Sequence, residues 1–268
     1  MLTGLLARLL HATRAIDRAY QRFDGARREL VLALASDRLL ARYNDLAYAR
    51  SKSYHPQAAE YRTGLLTWED ATIGAHFPSP PARVLVGAAG GGREAFALAE
   101  RGYAVVAFEP SGLVELMAEA RGAGGVDVYR ARYDQLPRVH TIEGREVDLS
   151  SAGRFDAGII GWASFSHLAS DRERIDALRS FAALVDGPVL VSFFGWIRPD
   201  MVPEPTGLRR VLLKRFGERR PGSLFSVDVG LYRQLTEDDL RSMAAAAGVD
   251  VVAVDMKAEW PNAVVRRR

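Results

Sequence analysis

Apolar residues repeat at helical spacing from the first turn of the chain. Leu2, Leu5, Leu6, Leu9, Ile16, Tyr20 and Phe23 share roughly one face, with Arg8, Arg14, Arg18 and Arg22 opposite. The pattern predicts a helix over residues 1–24, a break at Asp24-Gly25, and a second helix over 26–49 with an aromatic end at Tyr43 and Tyr48. Such a stripe needs a cover, which this domain, a second copy of the chain or a membrane surface can supply. Burial in the domain, or a homodimer through the N-terminal helices, is the simpler expectation. Ser51-Lys-Ser-Tyr-His-Pro56 reads as a polar loop, and a short helix ends near His76. Phe77-Pro-Ser-Pro-Pro81 is a stiff, helix-breaking spacer. It separates a helical extension or cap, residues 1–80, from a main domain, residues 81–268.

Past the spacer, short apolar runs alternate with helical stretches. Strands are predicted at 84–86, 104–108, 126–129, 154–160 and 188–194, and helices at 93–101, 110–120 and 172–184. Gly102 stops the first of these helices, residues 122–125 make a turn, and 141–151 is a polar excursion. Strands spaced by helices of this length imply a parallel sheet covered on both faces. Residues 195–226 carry prolines and lack a clear period. A helix then opens with Thr236 as N-cap and acids in its first turn, and Gly248 ends it. Strands at 249–254 and 263–267 close the chain, and their short link makes them antiparallel. The expectation is an α/β, doubly wound, mostly parallel seven-stranded sheet with an antiparallel last strand.

Composition narrows the setting. At 268 residues the chain can hold one large α/β domain with an extension. It has no cysteine, which excludes disulfides and thiolate metal sites, and no other metal-ligand cluster stands out. The net charge of +3 gives a mild preference for anionic partners, far short of a nucleic-acid tail. Asp37 and Arg38 interrupt the best apolar run, residues 30–40, so no membrane span is expected. The N-terminus lacks the pattern of a secretory signal, and a cytoplasmic enzyme is the default.

The candidate chemistry centres on Arg83-Val-Leu-Val-Gly-Ala-Ala-Gly-Gly-Gly-Arg-Glu-Ala95. A strand enters a cluster of small residues and a helix leaves it, which lets backbone N–H groups approach a polar ligand. Glu109 ends the next strand, where a carboxylate can grip ribose hydroxyls.

The order of these parts resembles the class I S-adenosylmethionine (SAM)-dependent methyltransferases, which are Rossmann-like, over roughly residues 60–268. The resemblance implies SAM as cofactor, with Gly87, Ala88, Gly90 and Gly92 in its turn, in a Gly-x-Gly-Arg-Glu variety of the motif. Two positions depart from the pattern. Val86 stands where an acidic residue is usual, removing one contact to the methionine end, and Ala88 replaces the first glycine. Arg93 then either meets the cofactor carboxylate or faces solvent. Glu109, followed by Pro110, is implied to bind the ribose 2′- and 3′-hydroxyls. Tyr133 and Asp134 fall in the loop that holds adenine, Trp162 and Ser164 line the pocket, and Tyr61 and Arg62 approach the methionine end.

Methyl transfer is an in-line displacement in which the protein mainly positions the acceptor. An oxygen or nitrogen acceptor with a high pKa also needs a base, and His167 is the candidate by position and titration range. Acceptor specificity is implied to lie in residues 1–60 and in 195–230, a substrate-side insertion. The aromatic supply there (Tyr43, Tyr48, Tyr54 and Trp196) suits a small biosynthetic acceptor. Seven basic residues from Arg198 to Arg220 leave RNA or a carrier-bound chain open. Three alternatives stand beside this reading: an RNA or protein methyltransferase, a non-catalytic SAM-binding module, and an NAD(P)-dependent oxidoreductase. The last fits Gly90-x-Gly92-x-x-Ala95 formally but leaves Gly87 without a role.

Overall fold

The computed structural model describes residues 2–120, 125–195, 207, 211, 215, 220 and 222–268, with side chains from residue 11 onward except Glu60. Most of the 195–230 segment, with Trp196 and most of its basic residues, lies outside them, as does most of the 122–125 turn.

Helices α1 (Leu2–Leu34), α2 (Asp37–Arg50), α3 (Ala59–Arg62) and α4 (Thr67–His76) precede the sheet. The predicted break at Asp24-Gly25 is not there, because α1 continues to Leu34. Asp24 pairs with Arg27 and Arg28 one turn on, which supports an unbroken helix. Ser36 makes the real break, its hydroxyl capping α2 by accepting from Leu39 N. With Gly25 inside a helix, Gly25→Ala should raise stability by about 0.5–1 kcal/mol in a urea titration. A loss of stability would put the break back at Gly25. Ile16, Tyr20 and Phe23 are each about two-thirds exposed, so the described domain leaves that part of the stripe uncovered.

The sheet is built from β1 (Arg83–Gly87), β2 (Ala104–Glu109), β3 (Val126–Arg130), β4 (Arg138–His140), β5 (Glu146–Asp148), β6 (Ala157–Ile160), β7 (Val189–Ser192), β11 (Val249–Asp255) and β12 (Asn262–Arg267). Their order is β11–β12–β7–β6–β1–β2–β3–β4–β5. The seven expected strands are present, and β12 runs antiparallel to both neighbours as expected. The added pair is β4, just before the supposed excursion, and β5 inside it, and three-residue strands are too short to show a period. A second sheet, also unforeseen, joins β8 (Phe194–Gly195), β9 (Ser223–Ser226) and β10 (Gly230–Leu235).

Helices α5 (Arg93–Glu100), α6 (Leu113–Ala120), α7 (Asp171–Leu184) and α8 (Glu237–Ala247) cover both faces. Leu98, Val114 and Met117 pack on one side with Val84, Val86 and, from α4, Ile73. Phe181, Leu240 and Met243 pack on the other with Phe108 and Phe165. The strand order reverses at β1, with β2 and β3 added on one side and β6 and β7 on the other. Doubly wound folds open a crevice there, at the strands' carboxyl ends.

Candidate active site

A cleft of about 840 Å³ opens at that reversal point. Its floor is the turn after β1. Ala88, Gly90 and Gly92 all have left-handed φ angles, of 51°, 56° and 97°. A Cβ on Gly90 would stand 2.4 Å from the Tyr61 hydroxyl, so only glycine fits that close approach. Across the turn, the Glu109 carboxylate accepts from Gly90 N and Ser111 N, both at 2.9 Å. Burial raises its pKa, and the hydrogen bonds from Ser111 and Gly90 oppose that shift. The remaining carboxylate lone pairs can accept from two hydroxyls of a sugar. This floor fits the cofactor that the resemblance implies.

The walls take residues from distant parts of the chain. Tyr133 is packed edge-on to Phe108, at 5.4 Å between ring centroids, and its hydroxyl meets Ser164 Oγ at 3.0 Å. Asp134 is exposed at the cleft edge, and Pro110 lies beside Glu109. Trp162 follows β6 with a left-handed φ of 34°, strain of the kind stored at functional sites. The front segment closes the opposite side with Asn44, Tyr48, Tyr54 and Tyr61. Tyr48 and Tyr54 lie 4.7 Å apart, and Tyr54 and Trp162 5.1 Å, making a continuous aromatic wall.

Of the expected site residues, Tyr61, Ala88, Gly90, Glu109 and Pro110 meet in this cleft, as do Tyr133, Asp134, Trp162 and His167. Gly87 and Gly92 shape the turn from behind. Arg62 points to solvent outside the cleft, because neighbouring residues on a helix diverge by roughly 100° and Tyr61 takes the inward direction.

Arg93 takes neither of its two expected roles. It is 1% exposed and clamps the fold behind the turn. Its guanidinium donates to Glu69 through two bonds of 2.6 Å, to Glu94 at 2.8 Å and to the Gly64 carbonyl at 2.8 Å. It also stacks 4.9 Å from the centre of the Trp162 ring. Glu69 was missed by sequence reasoning, and Glu94 was read only as part of the Gly-x-Gly-Arg-Glu helix start. A buried Arg-Glu pair opening a helix was the one available signal. A second buried arginine, Arg174, donates to the carbonyls of Phe165, Ser166 and Leu168 and so fixes the loop after β6.

That loop carries His167. Its Nδ1 lies 2.7 Å from the Leu231 carbonyl, which can only accept, so Nδ1 bears the proton. Nε2 is then free to accept from the Tyr48 hydroxyl. Asn44 completes the network, donating to the Leu231 and His167 carbonyls and accepting from Leu231 N. Desolvation is the main reason that the His167 pKa falls from 6.5 to about 4; nearby Arg174 also lowers it, against the Leu231 bond. The unfolded chain therefore takes this proton first on acidification. The stability is fully present above pH 6.5 and is lost as pH falls towards 4, by about 2–3 kcal/mol. Urea unfolding at pH 7.5 and 4.5 should show that loss in the wild type and a smaller one in His167→Gln. Equal losses would contradict the buried neutral imidazole.

Among the described residues, no group of three or more His, Asp or Glu could hold a metal ion. Likewise, no described helix is long and apolar enough to cross a membrane.

The sheet order, with an antiparallel strand inserted beside the last parallel one, defines a Rossmann-like α/β fold with a cleft over the first two strands. No family model matches the sequence, and no curated protein matches it. Solved structures do match. The methyltransferase CcbJ from Streptomyces caelestis has a TM-score of 0.50 at 18% identity, covering 74% of this chain and 93% of that one. CalS10 from Micromonospora echinaspora, an amino pentose methyltransferase involved in calicheamicin biosynthesis and solved with SAM, has a TM-score of 0.51 at 19% identity, covering 85% and 97%. A SAM-dependent methyltransferase from Methanosarcina mazei has a TM-score of 0.53 at 13% identity, covering 75% and 97%. The chain thus has the fold of the class I SAM-dependent methyltransferases.

Proposed function

We propose that the chain is a SAM-dependent methyltransferase that transfers a methyl group to an oxygen or nitrogen atom of a small biosynthetic acceptor. The observation that carries this reading is the Glu109 carboxylate, buried at the end of β2 and bonded to the glycine turn beside open cleft. Bound there, SAM would supply an activated methyl group on a sulfonium. Glu109 would hold the ribose, the 88–90 turn would cradle the methionine end, and Tyr133 with Asp134 would border the adenine. The acceptor would enter between Tyr48, Tyr54 and Trp162, under a cap formed by residues 1–80. His167, kept neutral, accepts from the Tyr48 hydroxyl and so fixes Tyr48 beside that space, where its oxygen would accept a hydrogen bond from the incoming acceptor.

The cleft volume suits a cofactor with a small acceptor beside it. The antiparallel β12 between β7 and β11 supports this reading over the dinucleotide oxidoreductase. The test uses SAM with a radiolabelled methyl group and three acceptor panels: small hydroxyl and amine metabolites, RNA, and protein. Label in a small molecule supports the reading. Label only in RNA or protein overturns the acceptor class, and no label in any panel favours a non-catalytic SAM-binding module.

A further inference from the structure

The three charged side chains sealed behind the glycine turn do not balance. Arg93 supplies one positive charge, Glu69 and Glu94 supply two negative ones, and all three residues are at most 3% exposed. Buried charge of this kind is costly unless it is matched. The match is uneven. Glu69 takes both arms of the Arg93 guanidinium and a third bond from Leu66 N at 2.7 Å. Among the described residues Glu94 accepts one hydrogen bond, from Arg93, although an ionised carboxylate offers about four acceptor sites.

Glu94 is also the member of the trio that reaches the cleft. Its Oε1 lies 2.9 Å from where a Cβ on Gly161 would stand, next to Trp162 at the carboxyl end of β6. The vacant acceptor sites and the surplus negative charge therefore belong to one carboxylate at the cleft wall. A compact cation with several N–H donors satisfies both. A sulfonium does not, because it has no N–H to give.

We infer that Glu94 binds the ammonium group at the amino-acid end of the cofactor, so that ligand binding completes the charge balance of the Arg93 cluster. The inference rests on the SAM reading above. It places the methionine end against β6 and α5 and leaves the Tyr48–Tyr54 wall for the acceptor. Glu94→Gln removes the surplus charge and leaves the Arg93–Glu69 pair intact, so the variant should fold.

The test is calorimetry of wild type and Glu94→Gln with two ligands, S-adenosylhomocysteine (SAH) and its deamino analogue, in which hydrogen replaces the amino group. Wild type should bind SAH about 10- to 100-fold more tightly than the analogue, as expected for a charge-assisted hydrogen bond. Glu94→Gln should bind the two alike, near the wild-type affinity for the analogue. A wild type without preference, or a variant that keeps it, overturns the inference while leaving SAM binding standing. A wild type that binds neither ligand removes the cofactor reading as well. Should Glu94→Gln fail to fold, the wild-type comparison decides alone.

Discussion

Arg93→Met should cost the fold about 3–5 kcal/mol, read as a lowered midpoint in urea. The side chain is fully enclosed, and its removal leaves Glu69 and Glu94 facing each other without a countercharge. Burial already raises the Glu69 pKa, with Glu94 adding to the shift and only the Arg93 contacts and the Leu66 N–H holding it down. The loss should exceed that of any surface arginine, whose ion pairs contribute roughly 0–1 kcal/mol. Arg93→Lys should rescue little, because one ammonium cannot serve two carboxylates and a carbonyl in the same fork geometry. A cost below about 1 kcal/mol for Arg93→Met would mean that the cluster does not hold the front segment to the turn.

Glu109→Ala should weaken SAH binding by roughly 1–3 kcal/mol, about 5- to 150-fold, while the unfolding midpoint moves little in comparison. The carboxylate accepts two backbone N–H bonds in the free chain, so those donors turn to water in the variant and the sugar loses its acceptor. The raised pKa adds a pH signature. Protonation removes the charge and turns one oxygen into a donor, so affinity should fall on acidification at a higher pH than an ordinary glutamate would set. Calorimetry between pH 7.5 and 5 reads this slope, and it should vanish in Glu109→Ala. An unchanged affinity in the variant would remove Glu109 from the site.

The parts of this fold that were legible in the sequence are those with long, regular patterns. The runs at Val84 and Val105 and the Thr236 cap with acids behind it each announce one element, and the elements occur where expected. The antiparallel close was readable from the short link before Asn262. What stayed hidden has a physical reason in each case. The strands β4 and β5 have three residues each, too few to show a period. Strand β9 ends a segment that reads as irregular, and its partner β10 is held by Asn44, whose bonds to Leu231 span 187 positions.

The site divides the same way. Gly90 and Glu109 were legible because a tight turn and a strand-end carboxylate leave local marks. Arg93 was not, because its partner Glu69 lies 24 residues upstream, across the proline spacer. Val86 lacks the acidic side chain of the usual motif, and the structure sets a carboxylate, that of Glu94, on the same cleft from the next helix. His167 was legible as a residue near the site. Its neutral state was not, because the burial that sets it, against the Leu231 bond, comes from distant elements such as β10.

The central claim is that this cleft binds SAM, and a calorimetric titration of the wild-type chain tests it most directly. Injected in turn, SAM and SAH should each give saturable heats with one site per chain, while NAD and NADP give none. Saturable binding of the nicotinamide cofactors alone would contradict the account.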